Sequence, residues 1–212
     1  MSEAGRRRHK DGAENRRRIL DAARQIAGER GYEGTSIALV SERSGLPASS
    51  IYWHFKDKDA LLAAVIEESF ARWLEGMEGE LTLAGGQSGQ EVLAALMRRT
   101  AKAILDSADF LRLGLMLTLE RRPDERTART LFLQARDETH RRMIETYRSL
   151  FPELDAEGCR HLATLTMAMA DGLFIAYEAS RDGIDFLGHF DALAAAVVAA
   201  ARHLEASAGP HA

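Results

Sequence analysis

Apolar residues recur three and four positions apart along nearly the whole chain, and the strict alternation of a half-buried strand is almost absent. From Asn15, the run Ile19, Leu20, Ala23, Ile26 and Ala27 lays one apolar face along a helix. "GERGYEG" closes that helix at Gly31. Thr35 and Ser36 then offer side-chain oxygens to cap a second, short helix, on which Ile37, Val40, Ser41 and Ser44 share a face. "SGLP" reads as a turn in which Gly45 takes positive φ, and Pro47 suits the start of a third helix, "ASSIYWHF". Asp57 caps a fourth helix, running from Lys58 past Trp73 toward Leu83, with a stripe that includes Leu61, Leu62, Val65 and Ile66. "AGGQSGQE" (84–91) is a loop in which Ser88 and Glu91 form a capping box. Further helices are predicted over 89–107, 109–121, 124–151, 155–182 and 185–206, with breaks at "DSAD", "RRPDE", "FPELD" and "RDGID". The expected fold is all-α with about nine helices, an N-terminal three-helix head followed by a C-terminal helical bundle.

Two short helices across a glycine turn, behind a longer helix, describe a helix-turn-helix unit. The first short helix holds the second, and the second presents one face to a major groove. In "ASSIYWHF", Ile51 and Phe55 lie four apart and point inward, while Ala48, Ser49, Ser50, Tyr52, Trp53 and His54 cover the remaining surface. Small residues at the start of such a helix let its backbone approach base edges, and Tyr, His and Lys supply donors for phosphate oxygens. Charge sharpens the picture. The net charge is −4, yet residues 1–58 hold twelve Lys/Arg against eight Asp/Glu and residues 59–212 hold sixteen against twenty-four. A basic head on an acidic body suggests that the head meets a polyanion, the alternative being that its arginines only solubilise; Arg6, Arg7, Arg8, Arg16, Arg17 and Arg18 are the candidates for added minor-groove or phosphate contacts.

The stretch "GYEGTSIALVSERSGLPASSIYWHFKDKDALL" (31–62) resembles the DNA-binding domain of the TetR family of bacterial transcriptional regulators. The matching positions are Thr35 at the second helix's start, Gly45 in the turn, the run Tyr52, His54 and Phe55, then Lys58 and Leu61. Ser41 and Ser44 stand where many members have Ala, Leu46-Pro47 where many have Val-Ser, and Ser49 where many have Gly; these departures bear on base preference. The resemblance implies a basic flexible arm (1–14), a DNA-binding domain (15–62, motif about 36–55), an effector-binding and dimerisation domain (63–206) and a tail (207–212). It implies phosphate contacts from Thr35 and Ser36, where the helix dipole helps, and from Tyr52, His54 and Lys58. Pro47, Ala48, Ser49, Ser50 and Trp53 are then expected near base edges or sugars. No residue of the third helix is Arg, Asn or Gln, so specificity is expected to lean on thymine methyls, water and DNA shape.

A member of this length is similar to homodimers whose C-terminal domain binds a small molecule. Helix 155–182 carries two apolar stripes, and a helix apolar nearly all round is buried nearly all round. Leu162, Leu165, Thr166, Met169 and Leu173, with Leu193, Val197, Ala201 and Leu204 of the last helix, are the expected dimer face, a four-helix interface. The candidate pocket walls are Met and aromatic-rich, which suits a hydrophobic effector. They are Phe70, Trp73 and Met97, then Phe110, Leu113, Met116 and Leu117, then Phe132 and Met143, then Met167, Phe174 and Tyr177. Thr100, Glu120, Arg136, His140 and Asp171 are the polar anchor candidates.

Other function classes find little footing. No stretch of about 18 apolar residues exists to span a membrane. The basic N-terminus lacks the apolar segment of a secretory signal. The single Cys159 forms no internal disulfide and gives no metal spacing. Asp137 and His140 lack a third ligand, Cys159 and His161 lie too near in sequence for a nucleophile–base pair, and no glycine loop cradles phosphate. The expectation is a cytoplasmic, non-enzymatic, cofactor-free homodimeric repressor that binds a palindromic double-stranded DNA operator and releases it on binding a small hydrophobic effector. Two alternatives stand beside it: a sequence-independent helical DNA-binding scaffold, and a helical small-molecule binder without a regulatory role.

Overall fold

The computed structural model describes residues 3–77 (side chains from residue 11), 88–120, 127–180 and 183–207. Among these, the elements are helices α1 (Glu3–Gly34), α2 (Ile37–Ser44), α3 (Ala48–His54), α4 (Lys58–Met77), α5 (Gly89–Asp106), α6 (Ala108–Leu119), α7 (Thr127–Leu150), α8 (Ala156–Ala179) and α9 (Phe186–Ser207), with no strand. The expected loop over 84–87, the break over 121–125, the side chains of Arg6, Arg7 and Arg8 and the tail beyond Ser207 lie outside the described residues.

The local signals act as their chemistry requires. Ser36 is the N-cap of α2, its Oγ accepting from Leu39 N at 3.3 Å. Gly45 ends α2 in the left-handed region, φ 65 and ψ 23. Asp57 Oδ1 accepts from Ala60 N at 2.8 Å and opens α4. Ser88 and Glu91 form the capping box reciprocally: Glu91 N donates to Ser88 Oγ at 3.3 Å and Ser88 N to Glu91 Oε2 at 2.8 Å. Replacing Ser88 by Ala is expected to lower stability by about 1 kcal/mol, seen as a lower urea midpoint with an unchanged m-value.

α1 starts at Glu3 rather than Asn15, because apolar periodicity marks the packed part of a helix and not its whole length. It kinks at Gly31, φ 70 and ψ −173. A Cβ there would lie 2.5 Å from Met116 Cε.

By its contacts the chain divides into two compact units, crossing between them at 75/76, 106/107 and 135/136. The first holds Met1–Glu75 and Ser107–Ala135. Its core is one continuous cluster: Ile19 and Ile26 of α1, Val40 of α2, Ile51 of α3, Leu62 and Ile66 of α4, Phe110 and Leu113 of α6, and Phe132 of α7. The rings of Phe70, Phe110 and Phe132 run through it, 6.3 and 5.4 Å apart. α6 groups with the three-helix head because it packs along α1, where Arg112 donates to the Gly28 carbonyl at 3.2 Å, and the rings extend that core to the start of α7. The second unit holds Gly76–Asp106 and Arg136–Ala212. There α9 packs on α5 and α8 and buries Phe190, Leu193 and Val197. Arg136 of α7 makes a two-pronged ion pair with Asp171 of α8, at 3.1 and 2.6 Å.

Candidate nucleic-acid interface

α3 is built to hold with one side and present the other. Ile51 and Phe55 are buried in the core of the first unit. Pro47, Ser49, Tyr52 and Trp53 are exposed, with Trp53 77 % and Tyr52 56 % accessible. So large an exposed apolar surface on a seven-residue helix is what a partner surface looks like. The turn before it is fixed by polar contacts. Ser41 Oγ donates to the Leu46 carbonyl at 2.7 Å, and Arg18 of α1 donates to the Ser44 carbonyl at 2.6 Å. Pro47, with extended ψ 151, is the N-cap of α3, and its carbonyl accepts from Ser50 N at 2.9 Å.

Not every expected DNA contact faces out. Thr35 is 1 % exposed, and its Oγ1 donates to the Gly31 carbonyl at 2.8 Å, so its side chain closes the α1–α2 elbow. Ser36 is the exposed member of that pair. Lys58 turns inward: its Nζ donates to the Tyr32 carbonyl at 3.1 Å, reaches Glu33 Oε2 at 3.4 Å and sits 4.3 Å over the Tyr32 ring. Ala48 and Ser50 are half-buried. His54 is half-buried with its ring edge-on to Trp53 at 4.6 Å. Burial, reinforced by the Arg16 charge, pushes its pKa below the ordinary value, so the ring is neutral near pH 7 and offers a hydrogen bond rather than a charge. Lys56, absent from the sequence-based set, is exposed just beyond α3. Among the head arginines, Arg17 is engaged by Glu14 at 2.7 Å and Arg43 by Glu29 at 2.7 Å. Arg16 lies 5.6 Å over the Phe55 ring and 3.9 Å from Glu68 Oε2, with its side chain about half exposed.

This head is a known one. Residues 19–65 match the family model for bacterial regulatory proteins of the tetR family. Residues 19–65 thus form a tetR-family segment at the head of the chain. It is 32 % identical to the class D tetracycline repressor protein of Escherichia coli over 123 residues, 58 % of this chain and 52 % of that one. The chain thus spans about half the length of the curated relatives it matches. Among solved structures, the MbdR regulator from Azoarcus sp. CIB superposes with TM-score 0.71 at 19 % identity, covering 88 % of this chain and 96 % of that one. FadR from Bacillus subtilis, solved in complex with stearoyl-CoA, gives TM-score 0.67 at 17 % identity, covering 86 % and 97 %. Similarity at that level carries the all-α fold alone.

The remaining candidates are split by the two units of the chain. Phe70, Trp73, Phe110, Leu113, Met116, Leu117 and Phe132 belong to the first unit; Met97, Met143, Met167, Phe174 and Tyr177 belong to the second. In the first, a cleft of about 180 Å³ is lined by Ile66, Glu67, Phe70, Leu131, Gln134 and Ala135, so Phe70 is the one candidate that borders it. That volume is below the roughly 300–1,000 Å³ of drug-sized pockets. Leu113, Leu117 and Phe132 are buried side chains of the unit's core, whereas Met116 is exposed. In the second, Met97 and Phe174 are buried, while Met143, Met167 and Tyr177 are half-buried.

The expected dimer face is placed differently again. Leu162, Thr166, Leu193, Val197 and Ala201 are buried within the second unit, Thr166 accepting or donating a 2.8 Å hydrogen bond with the Tyr147 hydroxyl. Leu165, Met169, Leu173 and Leu204 are half-buried. The outward faces of α8 and α9 instead carry Ala168, Gly172 and Ile175, and Leu187, Ala192, Ala195 and Ala199. Both faces of α8 are apolar in sequence, so periodicity alone does not say which one meets α9. The anchors Arg136 and Asp171 pair with each other, and His140 Nε2 meets Thr164 Oγ1 at 3.0 Å. Among the described residues no helix is long and apolar enough to cross a membrane, and no three or more His, Cys, Asp or Glu gather as a metal site.

Proposed function

We propose that this chain is a DNA-binding transcriptional regulator, acting as a repressor, in which α3 of each of two subunits enters the major groove of a palindromic operator. The observation that carries this reading is the division of α3 into a buried side, Ile51 and Phe55, and an outward side led by Tyr52 and Trp53. Half-site centres are then about 34–36 Å apart. Ser36, Tyr52 and His54 give uncharged phosphate contacts, Lys56 and Arg16 the charged ones, and Pro47, Ser49 and Trp53 approach base edges and sugars. The outward faces of α8 and α9 form the homodimer interface, where small residues let helices approach closely. A small hydrophobic effector shifts the population away from the DNA-competent state. The support for an apolar ligand is the small cleft whose wall is mostly apolar, Ile66, Phe70, Leu131 and Ala135.

Selection of bound sequences from random duplex DNA, followed by titration of variants, tests the reading. Tyr52→Ala is expected to weaken binding by about 1.5–3 kcal/mol, the worth of a hydrogen bond to a charged group, for all sequences alike. Lys56→Ala is expected to lower the slope of log K against log salt by about 1. Base-selective loss in Tyr52→Ala, with an unchanged salt slope in Lys56→Ala, contradicts the assignment to phosphates. Enrichment of no sequence over random DNA points instead to a sequence-independent scaffold.

A further inference from the structure

Tyr32, Asp59 and Thr127 are far apart in sequence and meet at one carboxylate. Asp59 Oδ1 accepts from the Tyr32 hydroxyl at 3.2 Å, and Asp59 Oδ2 accepts from Thr127 N at 3.1 Å. Asp59 stands in the first turn of α4, and Thr127 is the first residue of α7. One anion therefore serves the N-terminal ends of two helices, where unsatisfied N–H groups and the helix dipole both favour negative charge. Burial by itself would raise its pKa. Hydrogen bonds from Thr127, Tyr32 and Ala128 outweigh that and hold it below the ordinary carboxylate value, so the group is ionised near neutral pH.

Tyr32 is the mechanical end of this contact. It follows the Gly31 kink that ends the straight part of α1, and it is 3 % exposed. Its carbonyl accepts from Lys58 Nζ at 3.1 Å and from Thr35 N at 3.3 Å. Thr35 leads into Ser36, the cap of α2, and α2 carries α3 through the Gly45 turn. The path from the start of α7 to the α1–α2 elbow is thus a chain of direct contacts within the first unit.

We propose that Asp59 is a positioning residue, through which the first turn of α7 sets the α1–α2 elbow and thereby the attitude of the DNA-reading helix α3. The DNA arm of the test rests on the function proposed above; the exchange arm does not. Asp59→Asn keeps one carbonyl acceptor and the side-chain volume, so the donors to the other oxygen lose their partner. Tyr32→Phe keeps the buried ring and removes only the hydroxyl that donates to Asp59.

Both variants of the full chain are to be compared with the unaltered protein by amide hydrogen exchange in the absence of DNA. The expected result is at least tenfold faster exchange over residues 36–44 in both variants, over the first turn of α7 as well in Asp59→Asn, and unchanged exchange in α9. Affinity for DNA selected by the unaltered protein is expected to fall at least tenfold in Asp59→Asn, at a temperature well below its melting transition. Exchange that rises only at the start of α7, with α2 unchanged in both variants, overturns the proposal and leaves Asp59 a simple cap of α7. A uniform rise through all helices overturns it too, since that is global destabilisation. If the unaltered protein selects no DNA, the DNA-binding reading fails, while the exchange pattern still decides the role of Asp59.

Discussion

Phe132→Ala is expected to lower the unfolding free energy by about 3–5 kcal/mol, the usual cost of removing a buried phenyl ring. Phe132 is 1 % exposed, packs edge-on to Phe110 at 5.4 Å, and lies so close to Gly114 that a Cβ there would overlap its ring. The effect is expected to reach the helix-turn-helix head, because Phe132 belongs to the same continuous core as Ile51 and Phe55. Urea unfolding followed by tryptophan fluorescence reads this selectively. Both tryptophans, Trp53 and Trp73, are in the first unit, and Trp73 stacks on Phe70 at 5.9 Å. A fluorescence midpoint that stays put while circular dichroism shifts would show that Phe132 stabilises something other than the head.

Ile51→Ala is expected to cost about 2–5 kcal/mol. Its neighbour two positions on behaves oppositely: Trp53→Ala is expected to stay within about 0.5 kcal/mol of the parent, as surface substitutions do. Ile51 is 0 % exposed and Trp53 77 %, on the same short helix. Both variants are expected to lose DNA affinity, for different reasons. Ile51→Ala loses it because α3 is no longer held, and lowering the temperature or adding a stabilising osmolyte restores part of it. Trp53→Ala loses a contact, and no stabilising condition restores it. Thermal melts beside binding isotherms at two temperatures separate the cases. Equal stability of the two variants would refute the division of α3 into a holding and a reading side.

Much of the head was legible in the chain because its rules are local. Ser36, Gly45, Asp57 and the Ser88–Glu91 box act within four residues of the backbone they serve, and each acts as its residue type requires. Ile51 and Phe55 are four apart, one turn of helix, so their shared inward direction followed from spacing alone. Thr35 and Lys58 broke from expectation for a non-local reason. The Gly31 kink brings a carbonyl to the Thr35 hydroxyl, and the Tyr32 carbonyl and ring capture the Lys58 ammonium. Neither partner can be anticipated from the family pattern that singled those two residues out.

The amino-acid order alone carried the helical periods, the caps and turns that punctuate them, the basic head, and the split of the third helix into two sides. All of these arise from backbone sterics and nearest-turn contacts. Packing of distant segments settled the rest. Asp59 and Thr127 are 68 residues apart, Arg136 and Asp171 are 35 apart, and the grouping of α6 with the head rests on its packing along α1, where Arg112 meets the Gly28 carbonyl 84 residues away. The face of α8 that turns inward was undecided in the sequence because both of its stripes are apolar. Packing against α9 and the contact of Thr166 with the Tyr147 hydroxyl of α7 accompany the inward face, which buries Leu162, Ala163, Thr166 and Phe174, residues drawn from both stripes.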